Sequence, residues 1–176
     1  MANILFISEQ YIKQYTPVGG LVEWSEIEPS AHLAQDSFIQ DILGTNFYNY
    51  IQAQFQAQAL TPDEITLVSR IKPALAYRVV SEMLPFLHAQ LKNKGAMTQR
   101  GDYSDPIDMD MLKYLRTELD NKAEFYSVRL STFLHDNRGL FPQYTQNNND
   151  DMKPHDGKYN GCDLFLGYDG DCSWKS

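Results

Sequence analysis

Three aspartates near the C-terminus, Asp163, Asp169 and Asp171 around Gly170, are the residues of this sequence best suited to holding a metal ion. Carboxylate oxygens at short spacing bind calcium. The spacing departs from an EF-hand loop, because the closing glutamate is missing and Leu164 to Gly167 interrupt the run. A solvated turn accounts for the same residues without any ligand. Zinc would require Cys162, Cys172 and His155 to converge with a fourth ligand. The four histidines, His32, His88, His135 and His155, are scattered, and none stands four residues from another histidine or a cysteine. There is no Gly-x-Ser-x-Gly elbow and no glycine-rich phosphate loop. Arg100-Gly101-Asp102 matches a cell-adhesion triplet, but so short a match arises by chance, and it falls in a polar loop. The expectation is a protein without catalytic residues, metal or cofactor.

With 176 residues the chain suits one domain and a tail. Its net charge of −8 gives no bulk attraction for phosphate backbones, and no run of Lys and Arg is present. Sequence-specific nucleic-acid binding is therefore not expected. Met1 to Tyr11 does not read as a signal peptide, and no apolar run approaches the roughly 20 residues that span a bilayer. The expected setting is the cytoplasm or a particle assembled there, where Cys162 and Cys172 remain free thiols; a disulfide between them would staple only the tail.

The elements that must position these residues are mainly helices. Ile4, Phe6 and Ile12 form a short element that Pro17-Val18-Gly19-Gly20 breaks. Ser25 to Glu28 fits a capping box, with Pro29 in the opening turn. Ala31, Ala34, Phe38 and Ile42 make one apolar stripe that Gly44 stops, and a second helix follows from Asn46 through Phe47, Ile51 and Phe55. Thr61-Pro62-Asp63-Glu64 is the clearest helix start. Pro73 predicts a break or sharp kink at Lys72, and Pro85 a bend in the helix that resumes from Leu75 and ends near Gly95. Residues 95–106 read as a loop. A last long helix runs from about Ile107 to Asn137 on Leu112, Leu115, Leu119, Ala123, Tyr126, Leu130 and Phe133, with Glu118 and Lys122 spaced for an ion pair. The fold class is all-α: a bundle of about four to five helices with an extended C-terminal arm containing a short β-strand or hairpin.

Three parts follow: a helical body over residues 1–144, a polar linker over 145–158 and a docking arm over 159–176. The linker holds one Met and no other large apolar side chain, so it has no core of its own. In the arm, Cys162, Leu164, Leu166 and Tyr168 alternate with Asp163, Phe165, Gly167 and Asp169, the period of a strand. A lone strand must dock on its own body or on a neighbour. Phe38, Phe47, Phe55, Phe86 and Phe133 lie on helical stripes and read as core. Trp24 stands off the helices, as do the arm residues Tyr159, Leu164, Phe165, Leu166, Tyr168 and Trp174, and all are candidates for a subunit or partner interface.

Three stretches carry a family likeness. The first runs from Val22-Glu23-Trp24-Ser25 through Ile27-Glu28-Pro29 to Ile42-Leu43-Gly44-Thr45-Asn46-Phe47-Tyr48. The second joins Ile71-Lys72-Pro73-Ala74-Leu75-Ala76-Tyr77 to Met83-Leu84-Pro85-Phe86-Leu87. The third is Ala123-Glu124-Phe125-Tyr126-Ser127-Val128-Arg129-Leu130 with Phe133-Leu134, closed by Phe141-Pro142-Gln143-Tyr144. In this order and spacing the chain resembles the helical connector proteins of tailed phages of Bacteroidetes hosts, including the ring proteins of crAss-like podoviruses. More distantly it resembles the head–tail adaptors of other tailed phages. The resemblance spans residues 5–144 and leaves the arm outside. It implies a structural virion protein, a neck or tail ring subunit assembled in the host cytoplasm. It further implies a homo-oligomer matched to a twelve-fold portal, contacts with the portal and neighbouring neck or tail proteins, and genome DNA passing through the lumen.

Rings of identical subunits use heterologous contacts, and obligate interfaces commonly exceed about 2,000 Å² in total. A small body offers that area on two flanks with difficulty, and a tethered arm adds it by docking on an adjacent subunit or ring, through strand addition. An acidic chain also suits a conduit, because DNA does not adhere to a negative wall. The competing reading is a small helical calcium-dependent binding protein or enzyme built on the C-terminal aspartates. Deleting residues 145–176 is expected to abolish ring assembly and neck binding, read by mass photometry; intact assembly would refute the arm's role.

Overall fold

Thr61 and Glu64 close the predicted capping box. The Thr61 amide donates to Glu64 Oε2 at 2.7 Å, and the Glu64 amide donates to Thr61 Oγ1 at 3.3 Å. Glu64 is buried, and its hydrogen bond with Tyr50, followed by desolvation, raises the Tyr50 phenol above the usual tyrosine pKa. From this start α5 runs over Pro62–Ala89 in a computed structural model that describes residues 4–18, 22–89, 91–92, 95–96, 109–146 and 151–154.

The helix continues through Pro73 and Pro85, so of the break or sharp kink expected at Lys72 the break does not occur. A helix-interior proline costs about 3 kcal/mol through its lost hydrogen bond and its clash with the preceding turn. Against that, Ile71, Ala74, Leu75 and Ala76 are buried on both sides of Pro73, and Val79, Val80 and Met83 extend the stripe. Each large apolar side chain removed from water contributes about 1.5–3 kcal/mol. Burial therefore outweighs the local preference of one residue.

Before α5 stand α1 (Glu9–Tyr15), α2 (Trp24–Ala34), α3 (Gln40–Leu43) and α4 (Thr45–Gln56). Ser8 caps α1 by accepting from the Tyr11 amide. Two expectations for α2 are corrected. The helix begins at Trp24 rather than on a Ser25 cap, since the Ser25 hydroxyl turns to Glu23 Oε2 at 3.5 Å, and Pro29 lies inside the helix. A π-helical turn, Gln35–Ile39, joins α2 to α3, with the Gln40 amide donating to the Gln35 carbonyl. The wider turn lets Gln35 and Ile39, then Ile42 and Leu43, all reach the core. Gly44, at φ 74°, ends this run as predicted.

Gln35 is fully buried, and its amide replaces a backbone ladder for the N-terminal segment. Its Oε1 accepts from the Phe6 amide at 2.8 Å, while Nε2 donates to the Ile4 carbonyl at 2.8 Å and to Tyr48 Oη at 3.0 Å. Tyr48 donates to Asp36 Oδ1 at 2.7 Å and accepts from Gln52 Nε2 at 2.8 Å. Phe6 thereby seats edge-on to Tyr48 and Phe55, with ring centroids 5.9 and 5.6 Å away.

After α5, the two-residue strands β1 (Leu91–Lys92) and β2 (Gly95–Ala96) pair antiparallel, where the sequence reading continued the helix to about Gly95. The last long helix, α6, spans Met109–Asp136 and buries Leu112, Leu119, Ala123, Ser127, Leu130 and Leu134. Glu118 and Lys122 make no ion pair; Lys122 Nζ lies 5.9 Å from the Tyr77 ring centroid. Helices α5 and α6 are antiparallel and share the most extensive contact of the fold, followed by α2 with α5. A 3-10 turn (Arg138–Leu140) and α7 (Pro142–Thr145) then fold back, setting Phe141 and Tyr144 5.5 and 5.8 Å from Phe47. Apart from the short β1–β2 hairpin the described chain is all-α, with four helices of eleven residues or more. The expected β element of the arm lies outside the described residues.

Part of the polar linker is fixed to the body. The Thr45 amide donates to the Met152 carbonyl at 3.0 Å, and the Met152 amide donates to Thr45 Oγ1 at 3.2 Å. Thr45 Oγ1 in turn donates to Asp151 Oδ2 at 2.7 Å. The first amides of α4 lack intrahelical acceptors and favour a nearby carboxylate, which gives this segment its seat.

Replacing Gln35 by Leu should cost about 2 kcal/mol or more, because the Phe6 amide and the Ile4 carbonyl lose their partner in a buried site. A lowered urea midpoint at constant slope is the expected reading; an unchanged midpoint would show that the network is dispensable.

Candidate interaction surface

Helix α6 has two faces. One carries Leu112, Leu119, Ala123 and Leu130 into the core. On the far side, Met111, Tyr114, Phe125 and Val128 recur at helical spacing, and each is more than half exposed. At 28 residues the helix is about 42 Å long, so these side chains form two apolar patches, one toward each end. The polar residues Glu118, Asn121 and Lys122 separate them.

Polar contacts with α5 hold this face in register. Ser81, fully buried, donates to Asp120 Oδ1 at 2.6 Å, and Arg78 Nη1 donates to the same oxygen at 3.0 Å. Arg78 also meets Glu82 at 2.6 Å, and Arg116 reaches Glu82 at 3.9 Å. Toward the other end Tyr77 stacks on Tyr126, with centroids 5.7 Å apart and planes 5° from parallel. Arg70 there lays its guanidinium 4.4 Å from the Phe133 ring centroid.

Beside Arg70 lies an open groove of about 310 Å³, lined by Arg70, Val128, Arg129, Thr132, Phe133, Asp136 and Asn137. It adjoins the Phe125–Val128 patch, since Arg129 lies 5.7 Å from the Phe125 ring centroid. Arg70 Nε is buried without a hydrogen-bond partner, and neither Arg70 nor Arg129 pairs with a carboxylate among the described residues. The groove thus offers cationic groups over aromatic rings, a setting for acidic and apolar groups together.

Of the interface candidates named from sequence, Trp24 is placed differently from expectation. It is the first residue of α2, half-buried against the core, because the helix begins before Ser25. Phe86 also departs from its expected core position and is more than half exposed. Tyr159, Leu164, Phe165, Leu166, Tyr168 and Trp174 lie outside the described residues, as do Cys162, Cys172 and the three C-terminal aspartates. Among the described residues no group of three or more His, Cys, Asp or Glu side chains is arranged to hold a metal ion. His32 faces Glu28 at 4.0 Å within α2, and His135 lies 3.6 Å from Asp136 on α6. No helix among the described residues is long and apolar enough to cross a membrane. Sequence reading missed the groove; its only sequence trace is Val128 and Arg129 lying off the buried stripe of α6.

Residues 39–153 match the model of a protein family described as a family of unknown function (DUF6712). The match begins within the π-helical turn and ends just past the segment seated on Thr45. No curated protein and no solved structure matches the chain.

Changing Phe125 and Val128 together to Ser should shift the unfolding free energy by only about 0.5 kcal/mol, as for exposed positions generally. The urea midpoint of the doubly substituted chain, read at constant slope, checks this. A large stability loss would mean that these side chains serve the core.

Proposed function

The chain belongs to this family, and we propose that it is a structural subunit of a tailed-phage neck: a head-to-tail connector that works as part of a ring and lets DNA pass. The observation that carries this reading is the far face of α6. A long helix buried on one side against α5 presents Met111, Tyr114, Phe125 and Val128 on the other. Exposed apolar residues gathered on one surface mark sites of association. A rigid helix pair with a covered face and an uncovered one suits a subunit whose neighbour completes its surface.

Three further features support it. The sequence resemblance over residues 5–144 points to connector proteins. The net charge of −8 favours a wall that DNA slides past. Fixed helices, held in register by Ser81, Arg78 and Asp120, suit a load-bearing part. In a closed ring each subunit meets the next through two different surfaces, and rotation closes the circle.

Mass photometry and negative-stain imaging of the full chain, alone and with its portal, test the reading. Rings of uniform mass, formed alone or on the portal, are expected. A protein that stays monomeric and binds neither portal nor tail proteins would overturn it.

A further inference from the structure

The groove beside Arg70 needs an occupant that is apolar and acidic at once. Val128 and Phe133 line it with carbon, while Arg70 and Arg129, unpaired with any carboxylate among the described residues, outnumber the one acidic side chain of the lining, Asp136. Residues 159–174 of this same sequence have that chemistry. They hold Leu164, Phe165, Leu166, Tyr168 and Trp174 among Asp163, Asp169 and Asp171, with no Lys or Arg. We propose that the groove and the adjoining outer face of α6 receive residues 159–174 of a second copy of this chain. This docking rests on the ring reading above and names its contact.

Length fits as well as charge. At about 3.3 Å per residue, this 16-residue stretch extends to about 53 Å, enough to fill the groove and run along a helix of about 42 Å. The tether is defined at its start: Asp151 and Met152 are held on Thr45, and the arm departs beyond Pro154. Each subunit then gives an arm from the α4 end and receives one on α6. That is a head-to-tail contact, the kind that closes rings. The aspartates face the Arg70 and Arg129 guanidinium groups, and the leucines and aromatics cover Phe125, Val128 and Phe133.

The native cysteines of the arm supply the test. In the full chain, Thr132→Cys puts a thiol on the groove wall, at an exposed position, while Cys162 and Cys172 remain. Mild oxidation followed by non-reducing electrophoresis and peptide mass spectrometry should show a disulfide from position 132 to Cys162 or Cys172 between chains. Its yield should exceed that of Asn49→Cys, exposed on α4, and should vanish when Cys162 and Cys172 are both changed to Ser. Adding Arg129→Glu to the Thr132→Cys chain should lower the yield several-fold. A disulfide within one chain, or a yield no higher than at position 49, overturns the docking. Mass photometry of the same samples separates the two ideas: rings without this cross-link sink the docking and leave the ring standing. The absence of both rings and cross-link sinks both.

Discussion

Two 28-residue helices leave water together along apolar stripes, and most other features of the molecule follow from how they do so. The antiparallel register is read directly from Arg70 against Phe133, Tyr77 against Tyr126 and Ser81 against Asp120. It carries α5 through two prolines that would stop a helix judged by local preference. It also determines which residues of α6 remain outside. Because Leu112, Leu119, Ala123 and Leu130 face α5, helical geometry turns Met111, Tyr114, Phe125 and Val128 to the opposite side.

Around that pair, polar contacts act as fasteners at places where apolar burial alone would leave several arrangements open. Gln35 fixes the N-terminal segment by satisfying an amide and a carbonyl that have no strand or helix to join. Ser81 and Arg78 converge on one oxygen of Asp120 and hold α5 against sliding on α6. Thr45 anchors Asp151 and Met152 at the start of α4. Each fastener is small in net energy, about 1 kcal/mol per hydrogen bond. The cost of leaving a buried partner unmade is larger, and that asymmetry makes them specific.

The outer face of α6 is apolar, and its adjoining groove is lined by Arg70 and Arg129 beside Val128 and Phe133. Asp120 ties α5 to α6, while Arg70 and Arg129 lie over aromatic rings. The family match covers α4, α5, α6 and the segment held on Thr45 alike, over residues 39–153.

Caps and apolar periodicity were enough, in the sequence alone, for the helical class, the start at Thr61, the stop at Gly44 and the extent of α6. These are local properties, decided by hydrogen bonds and side-chain spacing within a few residues. The interruption expected at Pro73 was also a local inference, and tertiary burial of Ile71, Leu75 and Val79 overrode it. Nothing in the local pattern marks Gln35; the wide turn and the approach of Ile4 and Phe6 make it a core group. Trp24 reads as standing off the helices, whereas it is the first residue of α2. The groove was decided by tertiary structure alone, because Arg70 and Phe133 stand 63 positions apart and meet only when two helices adopt one register.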